Sequence, residues 1–205
     1  MSSELRGKII ASYYRLLKFL LSHTGLTHIK PNNISYSAMI LGLISALLFG
    51  MGYTLLAGFF LLFSGMFDTF DGTVARINNN TSKFGAILDS SLDRYVEFII
   101  FLGILNYYRN DWMFYIVFFA LIGSIMVSYT RARSEGLGIS EIIGIMQRPE
   151  RVILLALGAI INEPVSYLLE GSDIILRIAI IIIAIFSNIT AIQRILIVKK
   201  YDIPT

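Results

Sequence analysis

DTFDGTVARINNNTSKFGAILDSSLD, residues 68–93, decides the reading of this chain. It holds four carboxylates, Asp68, Asp71, Asp89 and Asp93. The first two are three residues apart and the last two four apart, so on helices each pair shares a face. Nearly charge-free runs flank the stretch, Tyr53 to Phe67 before it and Phe98 to Tyr108 after it. Carboxylates at the ends of hydrophobic helices are costly and mark function. Two such pairs facing one another would make an oxygen-rich cage for hard divalent cations. Without a cation, the four charges would repel.

The surrounding chain is that of a polytopic helical membrane protein. Of its 205 residues, 56% are apolar, and the mean hydropathy of +0.71 is too high for an ordinary soluble domain. The apolar runs predict six transmembrane helices, roughly 34–51, 55–76, 83–107, 113–130, 150–161 and 174–198. Pro31-Asn32-Asn33 punctuates the start of the first. The fifth is short, with Asn162 to Asp173 read as a loop around Pro164. Residues 1–30 form a juxtamembrane segment, in which Glu4 to Ser22 interleaves apolar positions with Arg6, Lys8, Arg15 and Lys18. That pattern predicts an interfacial amphipathic helix. Residues 31–200 make the main all-α domain, and 201–205 a short tail. MSSELRGKII does not read as a signal peptide, because charge interrupts its apolar part. The absence of cysteine excludes disulfides, thiolate metal sites and thiol nucleophiles.

Six spans place both termini on one side. With that side cytoplasmic, fifteen of the 17 Lys and Arg residues lie on or near it, and Arg109 and Arg177 fall outside. This satisfies the positive-inside rule and puts the four aspartates near the cytoplasmic face of the cell membrane. Nothing in the chain suggests a nucleic-acid partner.

The full pattern is Asp68-x2-Asp71-Gly72-x2-Ala75-Arg76-x8-Gly85-x3-Asp89-x3-Asp93. It resembles the signature of the CDP-alcohol phosphatidyltransferase family at every fixed position. For any one of these aspartates the plain alternative is a helix cap or an ion pair with Arg76 or Arg94. Eight defined positions at fixed spacing argue against that for the set. The resemblance implies a transferase using two Mg²⁺ or Mn²⁺ ions, held by Asp68, Asp71, Asp89 and Asp93. It implies that Asp93 is also the general base, that Gly72, Ala75 and Gly85 give the nucleotide room, and that Arg76 binds the diphosphate. It further implies a homodimer.

The acceptor must be selected by the second half of the chain. Arg131, Arg133, Arg148, Arg151 and Arg194 sit at the ends of predicted spans on the same side as the aspartates. Several arginines at an aqueous cavity suit a phosphorylated acceptor; the alternative is topology determinants snorkelling to headgroups. SYTRARSEGLG (128–138) and RPER (148–151) resemble the prokaryotic phosphatidylinositol-phosphate synthases and their archaeal counterparts. That resemblance implies CDP-diacylglycerol or CDP-archaeol as donor and inositol 1-phosphate as acceptor, held by Arg131, Arg133, Arg151 and Arg194. It assigns no role to Arg148. Glycerol 3-phosphate is the leading rival acceptor, followed by inositol or serine. Outside the family the rivals are a membrane prenyltransferase and a cation transporter with intramembrane carboxylates. Prenyltransferases usually have more spans and place their aspartate motifs far apart, whereas one short loop separates Asp71 from Asp89 here; a transporter does not account for Gly72, Ala75, Arg76 and Gly85 at fixed spacing.

Overall fold

The structure is a computed structural model that describes residues 31–78, 82–139, 143–168 and 172–201. The expected interfacial helix at Glu4–Ser22 lies outside these residues. Among the described residues all regular structure is helical: α1 (Pro31–Met51), α2 (Thr54–Ile77), α3 (Lys83–Tyr107), α4 (Met113–Gly136), α5 (Arg148–Leu168) and α6 (Ile174–Tyr201).

Local chemistry sets the helix ends. Pro31 opens α1, where its missing N–H is not needed. At the far end of α1 the Tyr53 amide bonds back to the Leu48 carbonyl at 2.9 Å and the Gly52 amide to Phe49 at 3.0 Å. This closure requires Gly52 in the left-handed region, at φ 89°. Ser82 caps α3 by accepting the Gly85 amide at 2.9 Å. Asp111 does the same for α4, accepting the Met113 amide at 2.8 Å.

Two boundaries differ from the sequence expectation. The fourth helix continues past Thr130 to Gly136. The fifth runs from Arg148 to Leu168 and carries Pro164 inside it, where a loop was expected. Proline removes one helical hydrogen bond, but its fixed φ is helical, and neighbours hold this turn. Asn162 Oδ1 accepts the Leu176 amide at 3.2 Å, and Glu163 accepts the Thr54 hydroxyl at 3.2 Å. The resulting 21-residue helix is long enough to cross a bilayer without the shortfall that the sequence suggested.

The helices pack as a closed ring. α1 lies against α2 and α3, α2 against α5, α5 against α6, α6 against α4, and α4 against α3. Phe49, Ile104, Val117, Leu176, Ile180 and Ile183 fill its centre. Small residues let backbones approach where lipid supplies no hydrophobic drive. A Cβ on Gly103 would collide with the Ala46 backbone carbonyl of α1. One on Gly58 would come within 2.8 Å of the Ala156 carbonyl oxygen of α5.

Five of the helices, all but α3, are long and apolar enough to cross a membrane by length and composition. In α3, Asp89, Asp93, Arg94 and Glu97 crowd the stretch 89–97. The ring brings the start of α3 together with the ends of α2 and α4 and the start of α5. Side-chain contacts among these ends build the site.

Candidate active site and metal centre

Asp68 and Asp71 project from the last turns of α2, and Asp89 from the second turn of α3. One carboxylate oxygen of each lies within 4.8 Å of the other two. Asp71 is buried, and Asp68 and Asp89 are half-buried. Ser35, one turn into α1, donates its hydroxyl to Asp71 Oδ2 at 2.6 Å and so fixes that carboxylate. Three converging carboxylates from two helices form a hard, all-oxygen donor set. Such a set fits Mg²⁺ or Mn²⁺ and disfavours soft metals.

Asp93 stands beside this group, linked to it through an arginine. Arg148, the first residue of α5, donates Nη1 to Asp68 Oδ2 at 2.6 Å and places Nη2 2.8 Å from Asp93 Oδ1. One guanidinium thus bridges α2 and α3 across the site.

Beside the bridge opens a cavity of about 400 Å³, lined among others by Asp89, Asp93, Arg131, Gln147, Arg148 and Arg194. The expected acceptor arginines divide around it. Arg131 reaches the cavity while pairing with Glu135 at 2.9 Å. Arg194 also lines it, and its buried guanidinium donates to the carbonyls of Ile143 at 2.8 Å and Val127 at 2.6 Å. Arg151 is 2% exposed and turned away, held by Glu97 and the Met146 carbonyl. Arg133 is exposed on the last turn of α4 and does not line the cavity.

The expected nucleotide residues share this end of the bundle. Arg76 folds back so that Nε donates to the Gly72 carbonyl at 2.9 Å. A Cβ on Gly72 would meet Arg76 Nη2 at 3.5 Å. At Gly85 a Cβ would crowd Ser82 Oγ at 3.1 Å, with Asn32 Oδ1 of α1 at 3.9 Å. Ala75 lies one turn from the end of α2 and is half-buried.

Two contributors escaped the sequence reading, and a third had no role of its own there. Ser35 carries no signal of its own, since nothing in one sequence pairs α1 with position 71. Glu97 had one: it is a carboxylate inside an apolar helix, four residues after Asp93 on the same face. Arg148 stood out among the basic residues without a role, and it proves to be the residue that joins Asp68 to Asp93.

Residues 28–190 match the family model of the CDP-alcohol phosphatidyltransferases. The chain belongs to the CDP-alcohol phosphatidyltransferase family. Among its relatives is the archaetidylinositol phosphate synthase of Pyrococcus horikoshii, 34% identical over 201 residues, 98% of this chain and 97% of that one. The phosphatidylinositol phosphate synthase of Mycobacteroides abscessus is 29% identical over 199 residues, covering 95% and 87% of the two chains. The crystal structure of the Mycobacterium tuberculosis phosphatidylinositol phosphate synthase with CDP-DAG bound superposes with a TM-score of 0.72 at 26% identity, covering 89% of this chain and 90% of that one. The same synthase in complex with manganese and citrate gives a TM-score of 0.73 at 26% identity, over 88% and 86%. As a CDP-alcohol phosphatidyltransferase, the chain is a multi-pass membrane transferase with divalent-metal chemistry, and the aspartate triad lies within the matched residues.

Proposed function

We propose that this transferase moves the phosphatidyl or archaetidyl group of a CDP-linked lipid onto inositol 1-phosphate, releasing CMP. The observation that carries this reading is the juxtaposition of the carboxylate triad with a cavity lined by Arg131, Arg148 and Arg194. An oxygen cage for cations beside a pocket of guanidinium groups suits a reaction between an anionic diphosphate and an anionic acceptor. The names of the synthases that resemble the chain support inositol phosphate.

Asp68, Asp71 and Asp89 would hold the divalent cations, with Asp93 as a further ligand. When bound, these neutralise the diphosphate, polarise the phosphorus and stabilise the leaving CMP. Asp93 lines the acceptor cavity, which suits it to take the proton of the attacking hydroxyl. The new bond joins that oxygen to the β-phosphorus of the donor; the bond that breaks is the one from β-phosphorus to the oxygen of CMP. Arg131 and Arg194 hold the acceptor phosphate from within the cavity. Arg133 and Arg151, also expected to hold it, reach that role only with movement of α4 or exchange of the Glu97 pair. Gly72, Ala75, Arg76 and Gly85 receive the nucleotide.

We also read α3 as a sixth span. Its 25 residues run the length of the ring between α1 and α4, and no charged residue follows Glu97 in it. The distribution of Lys and Arg then supports a cytoplasmic active site and cytoplasmic termini. The family resemblance supports a homodimer, which sedimentation in detergent would test.

Incorporation of labelled acceptor into lipid tests the reaction. Purified protein receives Mg²⁺, CDP-diacylglycerol or CDP-archaeol, and inositol 1-phosphate, glycerol 3-phosphate, inositol or serine. Labelling from inositol 1-phosphate alone, lost in Asp93→Asn, is expected. Labelling from glycerol 3-phosphate instead would keep the donor chemistry and overturn the acceptor.

A further inference from the structure

Two arginines one turn apart at the start of α5 face opposite demands. Arg151 is tied on every side: Nε and Nη2 bond Glu97, and Nη1 bonds the Met146 carbonyl. That guanidinium is built in. Arg148 differs. Among the described residues its hydrogen bonds and ion pairs reach the tips of two aspartates, and its buried Nε has no hydrogen-bond partner. Its side chain is 23% exposed, and it lines the cavity.

The company it keeps is what matters. Asp68 belongs to the triad whose oxygens lie within 4.8 Å of one another, and Asp93 completes the signature. A cation-free cluster of this kind needs a positive charge to offset its repulsion. Arg148 supplies that charge from inside the protein. The same contact sets up a competition, because Oδ2 of Asp68 lies 2.6 Å from Nη1. A divalent ion and a guanidinium cannot share that oxygen's inner contact distance without strong like-charge repulsion.

We propose that Arg148 is an internal counter-ion of the cation site. It neutralises Asp68 and Asp93 when no divalent ion is held, and it swings from Asp68 into the cavity when one binds. Loading the metal thereby frees the Arg148 guanidinium, at the cavity wall, to act with Arg131 and Arg194. The inference rests on the metal-binding reading above, and it adds a residue that competes with the metal.

Two measurements on the full chain in detergent test it, neither reading catalysis. The first is Mn²⁺ affinity, from the electron paramagnetic resonance signal of free Mn²⁺, for wild type, Arg148→Gln, Arg148→Lys and Asp71→Asn. Removing a unit charge a few ångströms from the ligands should tighten Mn²⁺ binding on the order of tenfold in Arg148→Gln. Arg148→Lys keeps the charge and should stay near wild type. Equal or weaker binding by an Arg148→Gln protein that melts like wild type overturns the proposal.

The second needs no variant and decides the matter if Arg148→Gln does not fold. Phenylglyoxal modification of Arg148, mapped by mass spectrometry, should speed up several-fold when wild type is saturated with Mn²⁺, and not in Asp71→Asn. An unchanged or slower rate in protein shown to bind Mn²⁺ overturns the counter-ion role and leaves the metal site standing. Wild type that binds no Mn²⁺ overturns both.

Discussion

Glu97 of α3 accepts two hydrogen bonds from Arg151 of α5, from Nε at 2.7 Å and from Nη2 at 3.0 Å. Both side chains are withdrawn from solvent, at 2% exposure for Arg151 and 11% for Glu97. This bidentate pair braces the ring beneath the site. Removing one partner strands a buried charge, which costs about 3–5 kcal/mol. Glu97→Ala should therefore lower the thermal midpoint in detergent sharply. Glu97→Met with Arg151→Met should recover most of it, because two apolar side chains of similar volume leave no charge behind. A double variant as unstable as the single one would show that the pair does more than offset its own desolvation.

Ser35 supports the site from a third helix. Its hydroxyl holds Asp71 at 2.6 Å, so the carboxylate keeps one orientation toward Asp68 and Asp89. Losing an outer partner of a metal ligand typically costs about 10–100-fold in metal affinity. Ser35→Ala should weaken Mn²⁺ binding within that range, with a much smaller change in melting temperature. Unchanged affinity would mean that burial alone orients Asp71.

What the sequence made legible follows from what a single chain encodes locally. Asp68, Asp71, Asp89 and Asp93 were readable because helical spacing and apolar flanks are local properties, and α2 and α3 are joined by one short loop. Their convergence in space agrees with that reading for the first three. Arg148 and Ser35 were not assigned, because their roles depend on which helix lies next to which. The ring order that sets α5 against α2 and α1 against α2 is a tertiary fact. Arg151 was placed at the acceptor by resemblance, and its pairing with Glu97, 54 residues away on another helix, was not legible. The break expected at Pro164 failed for a related reason: contacts from Thr54 and Leu176 sustain the helix, and neither is local.

The crossing of α1 and α3 leaves no room for a methyl group at Gly103, where a Cβ would overlap the backbone of Ala46. The obstacle is main chain, so a rotamer change cannot relieve it. Overpacking of this kind costs about 1–3 kcal/mol. Gly103→Ala should destabilise the protein by that amount, and Gly103→Leu should prevent its purification as a folded species. Gly136, where a methyl group would meet no atom within 4 Å, gives the control. Gly136→Ala should melt at or above the wild-type temperature, and a loss there equal to that of Gly103→Ala would point to a general intolerance of larger side chains.

At the other end of the bundle, Arg177 of α6 reaches Asp111 in the α3–α4 turn, with Nη1 at 3.1 Å and Nη2 at 2.6 Å. These bonds, with the Met113 amide next in importance, hold the Asp111 carboxyl below the usual carboxylate range. The folded-state pKa is thus lower than the unfolded value of about 3.9. The sign follows from linkage: the pair's contribution is complete above the unfolded pKa and is lost as pH falls through the folded one. Asp111→Asn retains an oxygen for the Met113 amide and loses only the charge. The gap in melting temperature between wild type and Asp111→Asn should be constant at neutral pH, narrow below about pH 4 and shrink with added salt, since the pair is partly exposed. A gap that persists undiminished at low pH would show that the asparagine forfeits a better cap rather than a charge, because a protonated Asp111 has no charge left to lose.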